Sequence, residues 1–199
     1  LGHDPAMLCG GMATAARTAA RPGNFLPGAG PFVFEADESD RSLLAYHPDY
    51  AVVLNLGTDH YPRAELADVF GQFLKQTRHG AVLNAAVATA LPEPLPQGFA
   101  CRRFGASDDR PLPEYAVRYV PAGQGGPAAN FADGDIPLPV PGVHNALNAA
   151  AVRATLELLG VPPAPARAAI ACFSGVHRRF EIHGRTARGA LVVDDYAHN

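Results

Sequence analysis

The segment "AVVLNLGTDHYPRAELADVFGQFLKQTRHGAVLN", residues 51–84, decides the fold class. It holds two apolar runs of strand length, at 51–56 and 80–84. The residues between them include five apolar side chains at the spacing of one helical face: Leu66, Val69, Phe70, Phe73 and Leu74. Strand, helix and strand in this order favour a parallel sheet, because a parallel crossover usually runs through a helix. The sequence therefore predicts an α/β fold with a mostly parallel, doubly wound sheet.

The segments on either side extend this pattern. Residues 31–36 are rich in Phe and Val and predict a strand, and the alanine-rich residues 85–91 predict a short helix. Residues 92–140 carry many prolines and glycines between short apolar runs. That composition predicts an antiparallel excursion from the parallel sheet.

The last third of the sequence predicts a helix and then a change of domain. A long helix is expected over 141–160, where Gly160 ends it. The runs "RRFEIHG" and "GALVVDDYAHN" predict strands that begin a further domain. We therefore expect a central domain over 1–178 and the start of a C-terminal, Rossmann-like domain over 179–199.

Composition argues against several classes of function. The 199 residues carry a net charge of −3 and show no polybasic run, which argues against a nucleic-acid partner. No apolar run approaches the roughly eighteen residues of a membrane span, which argues against a membrane protein. The three cysteines are scattered and unpaired in sequence, which predicts a reducing, cytoplasmic location. The first residue is Leu1 rather than Met, and we expect a fragment of a longer protein.

Acidic residues follow the predicted strand at 31–36, in "PFVFEADESDRSLL". Glu35 stands at the carboxyl end of this strand, and "GTDH", with His60, stands at that end of the strand at 51–56. If the two strands are neighbours, Glu35 and His60 face one cleft and suit a magnesium ion that carries phosphates. The alternative is a solvated acidic loop in which Asp40 or Ser39 caps the next helix.

The segment "HNALN", residues 144–148, opens the long predicted helix. Asn145 and Asn148 are three positions apart, so their amides share one helical face. Amides offer both donors and acceptors, which suit a base edge or the hydroxyls of a ribose. The alternative is that Asn145 is only an N-cap.

Two further motifs carry charge near the end of the sequence. "HRRF" holds two arginines that bind phosphate in a fork geometry or form a surface salt bridge. "VVDDYAHN" places Asp194, Asp195 and His198 after an apolar strand. This second motif fits a metal site, a carboxylate that binds a ribose, or a capped turn.

Taken in order, "EADESD", "TDH", "PGVHNALNAAA", "HRRFE" and "VVDDYAH" resemble the motifs of the Mur ligase family. The resemblance implies a central domain similar to P-loop nucleotide triphosphatases, with ATP and Mg²⁺ as cofactors. It is greatest to the branch that joins L-alanine to UDP-N-acetylmuramate through an acyl phosphate. A sister branch, which recycles whole peptides onto the same sugar, shares much of the pattern. The resemblance implies these small-molecule partners, and we expect a monomer or homodimer.

The resemblance also implies roles for single residues. Glu35 and His60 match the magnesium ligands of the family, and these two residues and Arg179 match its catalytic positions. The residues that match nucleotide contacts are His144, Asn145, Asn148, Arg179, Asp195 and His198.

The sequence departs from the family in two places. The phosphate-binding loop of the form GTxGKT is absent, and Lys75 late in a helix does not replace it, so we expect these 199 residues alone to be inactive. "LGTDHYP" lacks the acidic residue that often flanks this motif in the branch.

Two functions from other classes remain as alternatives, a non-catalytic nucleotide-binding module and a metal hydrolase. The hydrolase would use Glu35, His60, Asp195 and His198.

Overall fold

A computed structural model of the protein describes residues 2–57, 61–123 and 126–196. The chain forms two compact units. The terminal unit comprises Leu1–Glu35 and Cys172–Asn199, and the central unit comprises Ala36–Ala171. No helix in the described ranges has the length and apolar character needed to cross a membrane.

The strands are β1 (Ala6–Leu8), β2 (Phe25–Leu26), β3 (Phe32–Phe34), β4 (Tyr50–Val53), β5 (Gly80–Asn84), β6 (Ala100–Ala106), β7 (Tyr115–Gly123), β8 (Gly126–Phe131), β9 (Gly134–Pro137), β10 (Glu181–Arg185) and β11 (Leu191–Asp194). The α-helices are α1 (Arg63–Gln76), α2 (Ala85–Ala90), α3 (Val143–Leu158) and α4 (Pro163–Ala171). Two short 3₁₀ helices lie at Thr14–Ala16 and Ser42–Ala45.

A six-stranded sheet organises the central unit, in the order β4-β5-β6-β7-β8-β9. The first four strands are parallel to one another. Strands β8 and β9 add to the sheet in antiparallel fashion. The predicted α/β fold with a mostly parallel sheet is confirmed. The antiparallel excursion is shorter than 92–140, because β6 and β7 continue the parallel sheet.

Helices cover both faces of this sheet, as β5 shows. Ala81 and Leu83 pack in a cluster with apolar residues of α1, whereas Val82 packs in a second cluster with α3 and α4. All three side chains are fully buried. Since successive strand residues point to opposite faces, burial of all three requires a covering layer on each side.

Helix α3 packs on the sheet through small side chains. Its buried residues are alanines: Ala146, Ala149, Ala150, Ala151 and Ala154. Gly142 precedes the helix with φ +126°, a backbone angle that favours glycine. A side chain there would meet the ring of His144, whose atom Cε1 is 2.6 Å from the Cβ position. Glycine therefore allows the chain to turn into α3 beside this histidine.

The terminal unit contains a small sheet of order β2-β1-β3 and a hairpin of β10 and β11. β3 pairs in parallel with β1, and β10 pairs antiparallel with β11. A bridge between Ala13 and Val176 joins the two chain segments of this unit. The predicted boundary between 178 and 179 stays a prediction.

The expectation that the strands at 31–36 and 51–56 are sheet neighbours is wrong within the described residues. β3 pairs with β1, and β4 pairs with β5 in the other sheet. The physical reason is that β1 offers β3 an edge, with Met7 opposite Val33. Two strands that follow one another along a chain need not share a sheet.

Candidate functional site

Glu35 extends from the end of β3 with an exposed side chain. Its backbone N–H donates to the carbonyl of Leu8 at 2.9 Å, so the residue continues the pairing of β3 with β1. Its Oε2 atom accepts a 2.7 Å hydrogen bond from the backbone N–H of Gly10. The carboxylate is thus anchored at one oxygen and open to solvent. An exposed, oriented carboxylate is a ligand type that Mg²⁺ prefers.

Two other acids of this motif, Asp37 and Asp40, support turns. Asp37 accepts from the N–H of Ser39 at 2.8 Å, and Asp40 accepts from the N–H of Ser42 at 2.8 Å. The hydrogen bonds from Ser42 hold the pKa of Asp40 below its ordinary value. Arg41, and not Asp40, occupies the N-cap position of the 3₁₀ helix that begins at Ser42, so the hydrogen bond of Asp40 supports the turn just before it. The alternative that Asp40 or Ser39 caps the next helix is therefore wrong, because Arg41 occupies the N-cap position.

Two predicted site residues, His60 and His198, lie outside the described residues. Their roles as a magnesium ligand and a nucleotide contact stay predictions.

The start of α3 brings His144, Asn145 and Asn148 onto its first two turns. The Nδ2 atom of Asn145 donates to the carbonyl of Pro141 at 2.9 Å and lies 3.1 Å from Nε2 of His144. Gly142, and not Asn145, occupies the N-cap position, so the N-cap alternative is wrong. Asn145 therefore fixes the entry to the helix, while the exposed side chain of Asn148 is available to a ligand.

In the terminal unit, Arg179 and Asp195 lie on adjacent segments. The Oδ2 atom of Asp195 accepts a 2.9 Å hydrogen bond from the N–H of Phe180, a residue with φ +50°. The guanidinium carbon of Arg179 lies 5.6 Å from the ring centre of Tyr196. Asp195 therefore stabilises an uncommon turn, and Tyr196 supports the arginine by a cation–π contact.

The two arginines of "HRRF" have different surroundings. Arg178 lies 3.7 Å from the carboxylate of Asp194 and 5.0 Å from the ring centre of Tyr196. Arg178 thus makes the surface salt bridge that the sequence allowed as an alternative. The exposed Arg179 forms no ion pair within the described residues, so its guanidinium is open to an anion.

One group of three possible metal ligands occurs in the described part of the chain. Glu181, His183 and Asp194 hold ligand atoms within 4.8 Å of one another. Glu181 already accepts from the N–H of Arg178 at 2.9 Å and lies 2.6 Å from Nδ1 of His177. The hydrogen bond from Arg178 lowers the pKa of Glu181. Groups of the protein itself thus bind the carboxylate of Glu181, and we assign no metal ion to the group of Glu181, His183 and Asp194.

Two contacts were missed by the sequence analysis. Gly10 holds Glu35 through a backbone N–H, a donor that every residue except proline carries, so no sequence signal could identify it. Tyr196 supports Arg179, and its place beside Asp195 in "DDYAH" was the available signal. Lys75 lies exposed on α1, with its amine 2.9 Å from the carboxylate of Glu93.

Comparison with known sequences gives full-length matches to this chain. No protein-family model matches the sequence. The UDP-N-acetylmuramate–L-alanine ligase of Kineococcus radiotolerans is 37% identical over 211 residues, covering 100% of this chain and 43% of that protein. The enzyme of the same name from Paenarthrobacter aurescens is 41% identical over 181 residues, covering 84% of this chain and 38% of that protein. The chain spans less than half the length of these relatives.

Solved structures give the same result for the fold. The crystal structure of the UDP-N-acetylmuramate–alanine ligase of Thermotoga maritima matches with a TM-score of 0.78 and 28% identity, over 99% of this chain and 45% of that chain. The murein peptide ligase of Psychrobacter arcticus matches with a TM-score of 0.70 and 23% identity, over 98% of this chain and 46% of that chain. The second likeness concerns the fold alone.

Proposed function

Because this chain is homologous along its whole length to the Mur ligases, we propose that it is the nucleotide-binding part of an ATP-dependent ligase. The ligase joins L-alanine to UDP-N-acetylmuramate by an amide bond. We place the reaction in the cytoplasm, with a monomer or homodimer as the active species.

The observation that carries this proposal is the sequence match to two UDP-N-acetylmuramate–L-alanine ligases at 37% and 41% identity. The geometry supports it at three points. Glu35 presents an anchored carboxylate, Asn148 an exposed amide on α3, and Arg179 an exposed guanidinium on an aromatic ring. The carboxylate can bind a cation, the amide can contact a nucleoside, and the guanidinium can donate hydrogen bonds to phosphate.

The proposed reaction has two steps. The carboxylate of the sugar attacks the terminal phosphorus of ATP, which gives an acyl phosphate and releases ADP. The amine of L-alanine then attacks the acyl carbon, so that a C–N bond forms, the C–O bond to phosphate breaks and the amine loses a proton. Both steps develop charge on phosphate oxygens, and they depend on positioning and charge stabilisation rather than on a covalent nucleophile.

Different residues of this chain position the substrates and stabilise the charge. Asn148 orients the nucleoside, with His144 and Asn145 shaping the turn beside it. Arg179 stabilises phosphate charge, and Asp195 holds the turn that presents Arg179. Glu35, together with His60, would hold Mg²⁺, which when bound neutralises the charge of the phosphates.

The direct test is a substrate screen on the full-length protein. Phosphate release is measured with ATP, Mg²⁺ and UDP-N-acetylmuramate, and with L-alanine, glycine, L-serine or an L-alanyl peptide as the amine. We expect release that depends on L-alanine, with an amide product of matching mass. If the L-alanyl peptide were the one amine that supports phosphate release, the protein would be a peptide-recycling ligase instead. ATP binding without turnover of any amine would replace it by the non-catalytic module.

A further inference from the structure

The central unit carries a surface pocket of about 300 Å³ near the carboxyl ends of β5 and β6. Three arginines line it: Arg63, Arg103 and Arg110. They come from the first residue of α1, from β6 and from the loop after β6. Alanines of α2 also line the pocket, and their small side chains leave its interior open. No described residue that is assigned to the proposed ligase reaction lines this pocket.

Among the described residues that line this pocket, arginines outnumber acidic residues by three to one. Within the described residues, neither Arg63 nor Arg103 has an ion-pair partner, although other arginines of the unit do, as in the pair of Arg102 with Glu114. Asp109 is the acidic lining residue, and its Oδ2 atom already accepts from the N–H of Ala106 at 2.8 Å. The described lining thus carries three guanidinium groups and one carboxylate. Such an arrangement attracts an anion.

The third arginine is fixed in place by the loop. The Nη1 atom of Arg110 donates to the carbonyl of Asp109 at 2.7 Å and lies 3.4 Å from that of Ser107. Its remaining N–H groups are directed away from these carbonyls by the planar fork of the guanidinium. Arg110 is therefore a preorganised donor, and Arg63 and Arg103 are donors that a ligand can recruit.

We propose that this arginine pocket binds the phosphate group of a small anionic ligand. A tetrahedral phosphate dianion accepts hydrogen bonds from several directions, which three arginines on three chain segments supply. A planar carboxylate is satisfied by a single guanidinium fork, so the count of donors favours phosphate. The volume of about 300 Å³ is that of a small ligand site and leaves room for more than the bare ion.

The test is calorimetric titration of the full-length protein with inorganic phosphate at constant ionic strength. A non-hydrolysable ATP analogue is kept in excess to fill any nucleotide site. We expect one phosphate bound, and at least tenfold weaker binding in Arg63→Gln and in Arg103→Gln. Arg103→Lys should lie between wild type and Arg103→Gln, because lysine keeps the charge and loses the fork.

Arg118→Gln is the matched control. Arg118 is exposed in the same unit, outside the pocket, with one 3.5 Å contact to Asn130, and its loss changes the net charge equally. We expect its phosphate affinity within twofold of wild type. Equal weakening by Arg118→Gln, or unchanged binding in Arg103→Gln, would overturn the proposal.

Discussion

The backbone N–H of Gly10 donates a 2.7 Å hydrogen bond to the Oε2 atom of Glu35. The anchor of this carboxylate is thus a neutral main-chain group, and among the described residues no cationic side chain forms an ion pair with it. Its negative charge is therefore oriented and still unpaired. Both properties suit a carboxylate ligand of a divalent cation, because the ion has no cationic side chain to displace.

The first prediction separates the structural and electrostatic roles of Glu35. Glu35→Gln keeps an oxygen that accepts from Gly10 and removes the charge. We expect Mg²⁺-dependent turnover of the full-length protein to fall about 100-fold or more, with the melting temperature unchanged. The control is Glu93→Gln, an exposed glutamate that pairs with Lys75 and loses the same charge. Near-normal turnover in Glu35→Gln would remove the assignment of Glu35 to the metal.

The second prediction distinguishes two asparagines on one helix. Asn148→Ala should raise KM for ATP with kcat little changed, because a nucleoside contact is made alike in the ground and transition states. Asn145→Ala removes the hydrogen bond to Pro141 and should lower the free energy of unfolding by about 1 kcal/mol. Steady-state kinetics and urea unfolding of both variants make the comparison. An unchanged KM in Asn148→Ala would count against its contact with the nucleoside.

The third prediction concerns Tyr115, whose hydroxyl donates to Glu157 at 3.0 Å. Burial, and then the hydrogen bond to Glu157, raise the pKa of Tyr115 to about 12. The unfolded chain has an ordinary tyrosine pKa of about 10. Folding therefore favours the neutral phenol, and this stabilisation is complete below pH 10 and is lost as the pH rises from about 10 to 12.

Absorbance titration of tyrosinate provides the measurement for Tyr115. One of the six tyrosines should ionise about two pH units late in the folded protein, and Tyr115→Phe should remove that late transition. Tyr46→Phe, at an exposed tyrosine, is the control and should leave the late transition in place. A late transition that survives Tyr115→Phe contradicts the assignment.

The fourth prediction concerns Asp133, which accepts two hydrogen bonds from Arg153, at 2.7 and 2.9 Å. These bonds hold the pKa of Asp133 below its ordinary value. The pair thus stabilises the fold above the unfolded pKa of about 3.9, and the contribution disappears as the pH falls through the lower, folded pKa. Asp133→Asn should cost about 1 kcal/mol at pH 7, since the carboxylate is half exposed, and much less in strong acid.

Urea unfolding of wild type and Asp133→Asn at a series of pH values tests this dependence. Asp108→Asn is the matched control, because Asp108 is exposed and has no ion pair in the described structure. We expect this control to change stability by less than about 0.5 kcal/mol at every pH. A constant difference between wild type and Asp133→Asn across the series would show that the charge of Asp133 is not involved.

The sequence predicted the elements best where burial is strongest. The run at 80–84 is β5, and the apolar spacing of Leu66, Val69 and Phe70 lies within α1. Both depend on side chains that repeat at the period of their own element, which is a local signal. The pairing of strands depends on residues that are far apart in sequence, so it has no such local signal. The segment that forms β1 is also rich in glycine and alanine, and its sequence does not indicate a strand.

The mistaken partner of β3 follows from this difference. Phe32 and Val33 are 57% and 58% exposed, although such residues usually indicate a buried strand. The candidate site could be proposed from the sequence where side chains define it, as at Glu35 and Asn148, whose roles stay predictions. It was not predictable where the backbone defines it, as at Gly10. The arginine pocket was missed because Arg63, Arg103 and Arg110 are far apart along the chain.

The alanine face of α3 has a consequence for how this protein tolerates change. Alanines such as Ala150, fully buried, set both the distance of the helix from the sheet and its rotation about its own axis. A bulkier residue at such a position would roll or lift the helix, and Asn148 would travel with it. If Asn148 contacts the nucleoside as we propose, a substitution among these buried alanines would change nucleotide affinity even with every contact residue unchanged.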